Sequence, residues 1–319
     1  MGSMGVKEFY AANFHDIKDE VSHPIGCQDC HDPKTMKLRI TRPALQEAFA
    51  GMGKDINKAT HQEMRSLVCA QCHVEYYFKK DPKNYLTFPW TEGTTAEGMI
   101  AYYDKHDVAD YVHPITKVRV IKAQHPDFEL FSTGVHAYAG LSCADCHMPY
   151  KSEGGVKFTD HHVQSPLLNV ANSCAVCHRW EEEKLVARVE SIQDKVQNAT
   201  WQAEEALVKA HFEVRAAMEA GTSDDQLAPA RQLIRHGQFQ WDYVSASNGM
   251  GFHSPQESMR LLGEALNKSQ EARLMVARIL ASKGVISASV YPDYATRERA
   301  WEVVQISTGQ IEGTLKLLP

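Results

Sequence analysis

Cys69-Ala70-Gln71-Cys72-His73 is one of four copies of a pentapeptide that together use every cysteine in the chain. The others are Cys27-Gln28-Asp29-Cys30-His31, Cys143-Ala144-Asp145-Cys146-His147 and Cys174-Ala175-Val176-Cys177-His178. C-x-x-C-H is the attachment signature of c-type haem. The two thiols form thioethers with the porphyrin vinyl groups, and the following His presents its imidazole to the iron from the same turn. Other uses of the cysteines account for less. Four disulfides would give no reason for a His after every second Cys, and a thioredoxin-like pair explains one C-x-x-C rather than four. Two C4 zinc sites would leave four histidines accidental. The reading is four covalent haems, with assembly outside the cytoplasm, where haem lyases act on exported, reduced apoprotein.

An electron-transfer haem needs a second axial ligand, usually His or Met. Twelve histidines lie outside the motifs, at 15, 23, 61, 106, 113, 125, 136, 161, 162, 211, 236 and 253. His136 lies seven residues before Cys143. His161 and His162 follow the turn-like Ser152-Glu153-Gly154-Gly155, and His253 follows Gly249-Met250-Gly251-Phe252. Spacing alone assigns none of them to a particular iron.

Beyond His178 the character of the chain changes. Trp180 to Ala220 contains no Pro or Gly, and Leu185, Val189, Ile192 and Val196 recur at helical spacing, with Gly221 as a stop. A second helix is expected from about Asp225 to Ser245. A third begins at Ser254-Pro255-Gln256-Glu257, a capping box with Pro at the first helical position, and runs to a stop at Gly284. The preceding region is loop-rich, with one short β-like stretch from Ile115 to Ile121, because porphyrins replace much of its side-chain core. The expected fold is therefore mainly α: a multihaem cytochrome c with a loop-rich haem-binding region over residues 6–179, followed by long helices over 180–319. An apolar stripe left uncovered on those helices would be a dimer face.

Composition narrows the classes further. The 319 residues are 43% hydrophobic and 23% charged, an ordinary globular profile rather than that of a disordered chain. No apolar run approaches the roughly 18 residues of a membrane span. The net charge of −6, without a Lys/Arg-rich run, argues against nucleic acid as a partner. Met1-Gly2-Ser3-Met4-Gly5 reads as an expression remnant. No signal peptide follows it, so either the signal has been removed or the chain is a recloned piece.

Several stretches together resemble the pentahaem cytochrome c nitrite reductase family, which reduces nitrite to ammonium. They are Cys69 through His73 continued by Val74-Glu75-Tyr76-Tyr77-Phe78, then Phe88-Pro89-Trp90 and Lys122-Ala123-Gln124-His125-Pro126. Cys143 through His147 with Met148-Pro149, Thr159-Asp160-His161 and the closing helices complete the match, which covers residues 24 to 285. The resemblance implies that Tyr76 and His125 line a nitrite pocket and supply protons to a bound oxyanion. It implies calcium held by the Glu75 carboxylate, the backbone carbonyls of Tyr76 and Lys122 and the Gln124 side-chain oxygen, all hard donors. It pairs His161 with the haem at Cys27/Cys30, His253 with the haem at Cys143/Cys146, and His136 with the haem at Cys174/Cys177. It further implies a periplasmic homodimer joined through the long C-terminal helices and fed by a quinol-linked cytochrome.

The sequence also departs from that family. The family's catalytic haem lies upstream, in a C-x-x-C-K motif, together with the active-site Arg and the distal His for the haem at Cys69/Cys72. These 319 residues contain no such motif and no spare Cys. The chain thus looks like a nitrite reductase shortened at its N-terminus, and alone it is expected to form little or no ammonium. The haem at Cys69/Cys72 is expected to be five-coordinate, or to recruit His15 or His23. The alternative function is a non-catalytic tetrahaem electron carrier, in which Tyr76 and His125 are remnants.

Overall fold

Helices carry the architecture in the computed structural model, which describes residues 4–21, 23–81, 84–286 and 290–317. Met1, Gly2 and Ser3 of the expected expression remnant lie outside those residues. Short helices come first: α1 (Val6–Ala11), α2 (Phe14–Ile17), α3 (Cys27–Cys30), α4 (Pro43–Gly51) and α5 (His61–Ala70). They continue with α6 (Ala96–Lys105), α7 (Asp127–Ser132), α8 (Val135–Tyr138) and α9 (Cys143–His147). The long helices are α10 (Glu182–Glu219), α11 (Asp224–Ser245) and α12 (Pro255–Ser282), followed by α13 (Arg297–Ser307). This is the mainly α, loop-rich arrangement that the motif spacing and helical periodicity imply.

The stops fall where the glycines dictate. α10 ends at Glu219 and Gly221 takes φ 76°; α12 ends at Ser282 and Gly284 also takes φ 76°. Such left-handed residues close helices without the steric penalty of a Cβ.

Three antiparallel hairpins depart from expectation: β1–β2 (Tyr77–Lys79 with Tyr85–Thr87), β3–β4 (Tyr111–Val112 with Arg119–Val120) and β5–β6 (Tyr150–Glu153 with Val156–Thr159). The stretch expected to be β-like, Ile115 to Ile121, keeps only Arg119 and Val120 in a strand. Its first half is the turn, with Lys117 at φ 59°. The β5–β6 turn is made by Gly154 and Gly155, both at positive φ, the pairing that matches the twist of a two-residue hairpin.

The chain divides into two compact units. One comprises residues up to Tyr102, Gln124–Lys195 and Ala246–Glu257; the other comprises Tyr103–Ala123, Val196–Ser245 and Ser258 onward. In the second unit Leu207, Ala210, Val214 and Ala217 of α10 meet Leu227, Ala230 and Ile234 of α11. Ala272, Val276 and Leu280 of α12 join them, with Val118 and Val120 of the hairpin closing the cluster. The three- and four-residue spacings place each set on one helix face. In the first unit Leu45, Met99, Leu130 and Trp90 are fully buried, and the Trp90 ring stands 5.1 Å from that of Phe88 and 5.8 Å from that of Phe128.

Candidate functional site

Each C-x-x-C-H pentapeptide is one helical turn, at α3, the end of α5, α9 and a 3₁₀ turn over Cys174–Val176. In three of them the closing His donates its backbone N–H to the first Cys carbonyl: His31 to Cys27 at 2.8 Å, His73 to Cys69 at 2.9 Å and His178 to Cys174 at 2.9 Å. That bond closes the turn and presents the imidazole directly beside the two thiols. None of the eight cysteines is paired in a disulfide.

The intervening x-x residues anchor these turns. Asp29 accepts from Gly26 N at 2.9 Å, and Asp145 accepts from Ser142 N at 2.7 Å, capping the turn in each case. Asp145 also pairs with the buried Arg65 guanidinium at 2.8 Å. Gln71, itself buried, accepts from Thr41 N at 2.6 Å and Arg42 N at 2.9 Å. Electrostatic contact links thiols of successive motifs: Cys30 with Cys72, Cys69 with Cys143, and Cys146 with Cys174 and Cys177. The motifs therefore follow one another in space in their chain order.

Outside the motifs, three histidines face motif histidines. The ring centroids of His31 and His161 are 6.1 Å apart, those of His178 and His136 are 6.2 Å apart, and those of His147 and His253 are 6.3 Å apart. Backbone carbonyls hold the inner ring nitrogens: His31 Nδ1 lies 2.8 Å from the Met36 oxygen, His147 Nδ1 2.9 Å from that of Gln164, and His161 Nδ1 2.8 Å from that of Thr159. A carbonyl only accepts, so Nδ1 carries the proton and Nε2 keeps its lone pair. Burial lowers the pKa of His136 and of His147, which favours the neutral form that ligates metals.

The fourth motif histidine has different surroundings. The ring of His73 lies 5.6 Å from that of His125, which lies 5.6 Å from that of Tyr76. His125 Nδ1 is buried with no hydrogen-bond partner among the described residues. Burial, reinforced by the Glu75 carboxylate, raises the Tyr76 phenol, so it keeps its proton at neutral pH. Of the two histidines expected as substitute ligands, His15 packs against Phe14.

Glu75 is fully buried. Its carboxylate accepts from Gln124 N at 2.7 Å, and its own N donates to Glu129 Oε1 at 2.9 Å. Lys122 belongs to the second unit, where its Nζ pairs with Asp242 at 2.8 Å. Sequence reasoning missed Glu129 and Asp127. Glu129 also accepts from Trp90 Nε1 at 2.9 Å, and burial pushes it up to about 8. Asp127 sits between His73 and His253. Both are acids in the short helix after His125-Pro126, and nothing in their spacing marks them.

The donor set, two thiols and an imidazole in one turn, suits covalent haem c. Beside the Cys69 and Cys143 turns lies a cavity of about 900 Å³, lined by apolar Leu67, Phe131 and Leu141 and by polar Lys54, Gln62 and Glu63. Phe131 touches the His253 ring, and Ser66 Oγ accepts from Cys143 N at 3.1 Å. Motif turns, facing imidazoles and a helical, loop-rich frame together define a multihaem c-type cytochrome.

The chain belongs to the cytochrome c552 family, which matches it over residues 1–315. Cytochrome c-552 of Bacteroides fragilis is 53% identical over 304 residues, covering 95% of this chain and 62% of that protein. Cytochrome c-552 of Porphyromonas gingivalis is 49% identical over 304 residues, covering 95% of this chain and 61% of that protein. Among solved structures, the catalytic subunit of cytochrome c nitrite reductase from Desulfovibrio desulfuricans, described with two calcium sites, superposes with a TM-score of 0.79. It shares 38% identity and covers 89% of this chain and 64% of its own. The chain thus spans about three fifths of the length of the curated relatives it matches.

Proposed function

We propose that this chain is the electron-relay part of an ammonia-forming cytochrome c nitrite reductase and supplies one side of its nitrite pocket. Covalent haem c at the four motifs would supply the one-electron chemistry. The observation that carries the reading is the separation of the three histidine pairs, 6.1 to 6.3 Å. An imidazole nitrogen sits about 2.0–2.1 Å from a ligated metal and about 1.2 Å from its own ring centre. Two imidazoles holding one metal between them would therefore stand about 6.4–6.6 Å apart by centroid, close to the separations seen. His161, His136 and His253 are accordingly the distal ligands for the haems at Cys27/Cys30, Cys174/Cys177 and Cys143/Cys146. The proximal ligands are His31, His178 and His147, with His73 serving Cys69/Cys72.

Reduction of nitrite to ammonium takes up six electrons and eight protons. The Tyr76 phenol and the imidazole of His125 stand together where an oxyanion could accept hydrogen bonds from both. Glu129 and Gln124 fix the Glu75 backbone and carboxylate. Calcium on Glu75, the Tyr76 carbonyl and Gln124 would stiffen the pocket wall. Among the described residues no helix is long and apolar enough to cross a membrane. We place the protein in the periplasm, as a homodimer through its long helices, with electrons arriving from a quinol-linked cytochrome.

The test is a pyridine-haemochrome assay with an intact mass on protein made with haem-attachment machinery. Four haems per chain are expected. Colourless protein at the bare polypeptide mass would refute the reading.

A further inference from the structure

Asp127 stands between two imidazoles, those of His73 and His253. Its Oδ1 lies 3.4 Å from His253 Nδ1, and its Oδ2 lies 3.7 Å from His73 Nδ1. The side chain is only 9% exposed. Three further donors hold the carboxylate: Ser247 Oγ at 2.9 Å, Asn248 Nδ2 at 2.8 Å and Gly249 N at 3.3 Å. His73 serves the motif at Cys69/Cys72, whereas His253 faces the motif histidine of Cys143/Cys146. Those are successive motifs, and their thiols Cys69 and Cys143 interact electrostatically.

The other ring nitrogens supply the contrast. His31, His147 and His161 are held at Nδ1 by neutral carbonyls of Met36, Gln164 and Thr159. His73 and His253 face a formal negative charge instead. A carboxylate beside a ligating imidazole raises its basicity and stabilises the more positive oxidation state of the metal. In a buried setting that charge is poorly screened.

Resting on the haem assignment above, we propose that Asp127 is a buried charge shared by two haems. Standing 3.4 Å from His253 Nδ1 and 3.7 Å from His73 Nδ1, it holds the reduction potentials of the haems at Cys69/Cys72 and Cys143/Cys146 below the values neutral partners would give. The haem at Cys27/Cys30, both of whose ligands have carbonyl partners, is the internal reference.

The test uses the haem-loaded full chain and compares wild type, Asp127→Asn and Ser247→Ala by spectroelectrochemical titration. Haem content is measured first, so that absence of haem counts against the functional reading and not against this one. Asp127→Asn keeps the shape and removes the charge. Two of the four one-electron steps should move to higher potential while the others stay. Ser247→Ala removes only a neutral contact to the same carboxylate and should leave all four in place. No shift in Asp127→Asn, a common shift of all four steps, or the same two-step shift in Ser247→Ala would overturn the proposal. Should Asp127→Asn fail to fold, proton NMR of the unaltered ferric protein decides. The Nδ1–H resonances of His73 and His253 should lie apart from those of His31 and His161, and their coincidence would refute the shared role.

Discussion

Gly249→Ala tests the placement of His253 with a single methyl group. A Cβ built at Gly249 would stand 2.6 Å from His253 Nδ1, 2.8 Å from Cε1 and 2.9 Å from Cγ. Carbon contacts are comfortable at about 3.5–4.0 Å, so ring and loop must separate by roughly 1 Å. The other side of the loop leaves little slack, because a Cβ at Gly134 would come within 2.0 Å of the His253 carbonyl oxygen. Backbone strain adds nothing, since Gly249 is not among the residues with positive φ. Metal–ligand distances tolerate only about 0.2 Å, so a displacement near 1 Å breaks the bond. The expected outcome is one additional carbon-monoxide-binding, high-spin haem per chain, read as the change in the reduced-plus-CO difference spectrum, with haem content unchanged. Gly263→Ala, whose Cβ meets nothing within 4 Å, is the control and should leave the spectrum as it was. A Gly249→Ala protein with the wild-type spectrum and CO stoichiometry would refute the assignment of His253 as an iron ligand.

Three further outcomes follow. Burial lowers His113 to about 4 and His211 to about 3; both are depressed bases, so the unfolded chain binds more protons below its ordinary value near 6.5. The stability from this pair is present above about pH 6.5 and is lost as the pH falls towards 4. Tm should decline over that window, and a His113→Gln/His211→Gln protein should show a flatter profile. Ile234→Ala, at a fully buried position in the three-helix cluster, should cost about 2–5 kcal/mol in denaturant unfolding, and a change below about 0.5 kcal/mol, the usual surface range, would contradict the packing described. With reduced viologen and nitrite, the haem-loaded 319-residue chain should form little or no ammonium, since every cysteine lies in C-x-x-C-H; a rate near that of an intact nitrite reductase would show that an upstream catalytic haem is dispensable.

How much of this was legible in the sequence depends on the range of the interaction. The long helices were, because uninterrupted 3.6-residue periodicity and the glycines at 221 and 284 are local signals. The hairpins were not: β5–β6 is almost entirely exposed, and its alternation, Val156-Lys157-Phe158-Thr159, is confined to one strand of four residues. Ile115 to Ile121 misled because Val118 and Val120 are buried in a cluster with helices, so their apolar character reports that packing and not strand length. The four attachment turns could be read residue by residue. The pairing of His161, His136 and His253 came from resemblance, since imidazoles separated by 42 to 130 residues have no spacing rule. Asp127 and Glu129 were invisible, because a buried carboxylate is defined by the tertiary partners around it.

The polar contacts explain how so loop-rich a region can hold its imidazoles in place. The turns at Cys69 and Cys143 are each tied to a distant segment by an x-x residue: Asp145 to Arg65 across 80 residues, and Gln71 to Thr41 and Arg42 across about 30. These ties involve partly or fully buried donors and acceptors, so losing either partner leaves a desolvated group at a cost of about 1–3 kcal/mol. Side-chain packing would distribute the same constraint over many weak contacts and let the ring drift. Directional bonds fix both the turn and, through the Nδ1 acceptors, the tautomer and plane of the imidazole. The planes of His31, His147 and His161 are therefore set by a few named hydrogen bonds, and on the proposed reading substitutions at Asp145, Gln71 or Thr41 should disturb ligation at Cys143/Cys146 or Cys69/Cys72 before they disturb the helices.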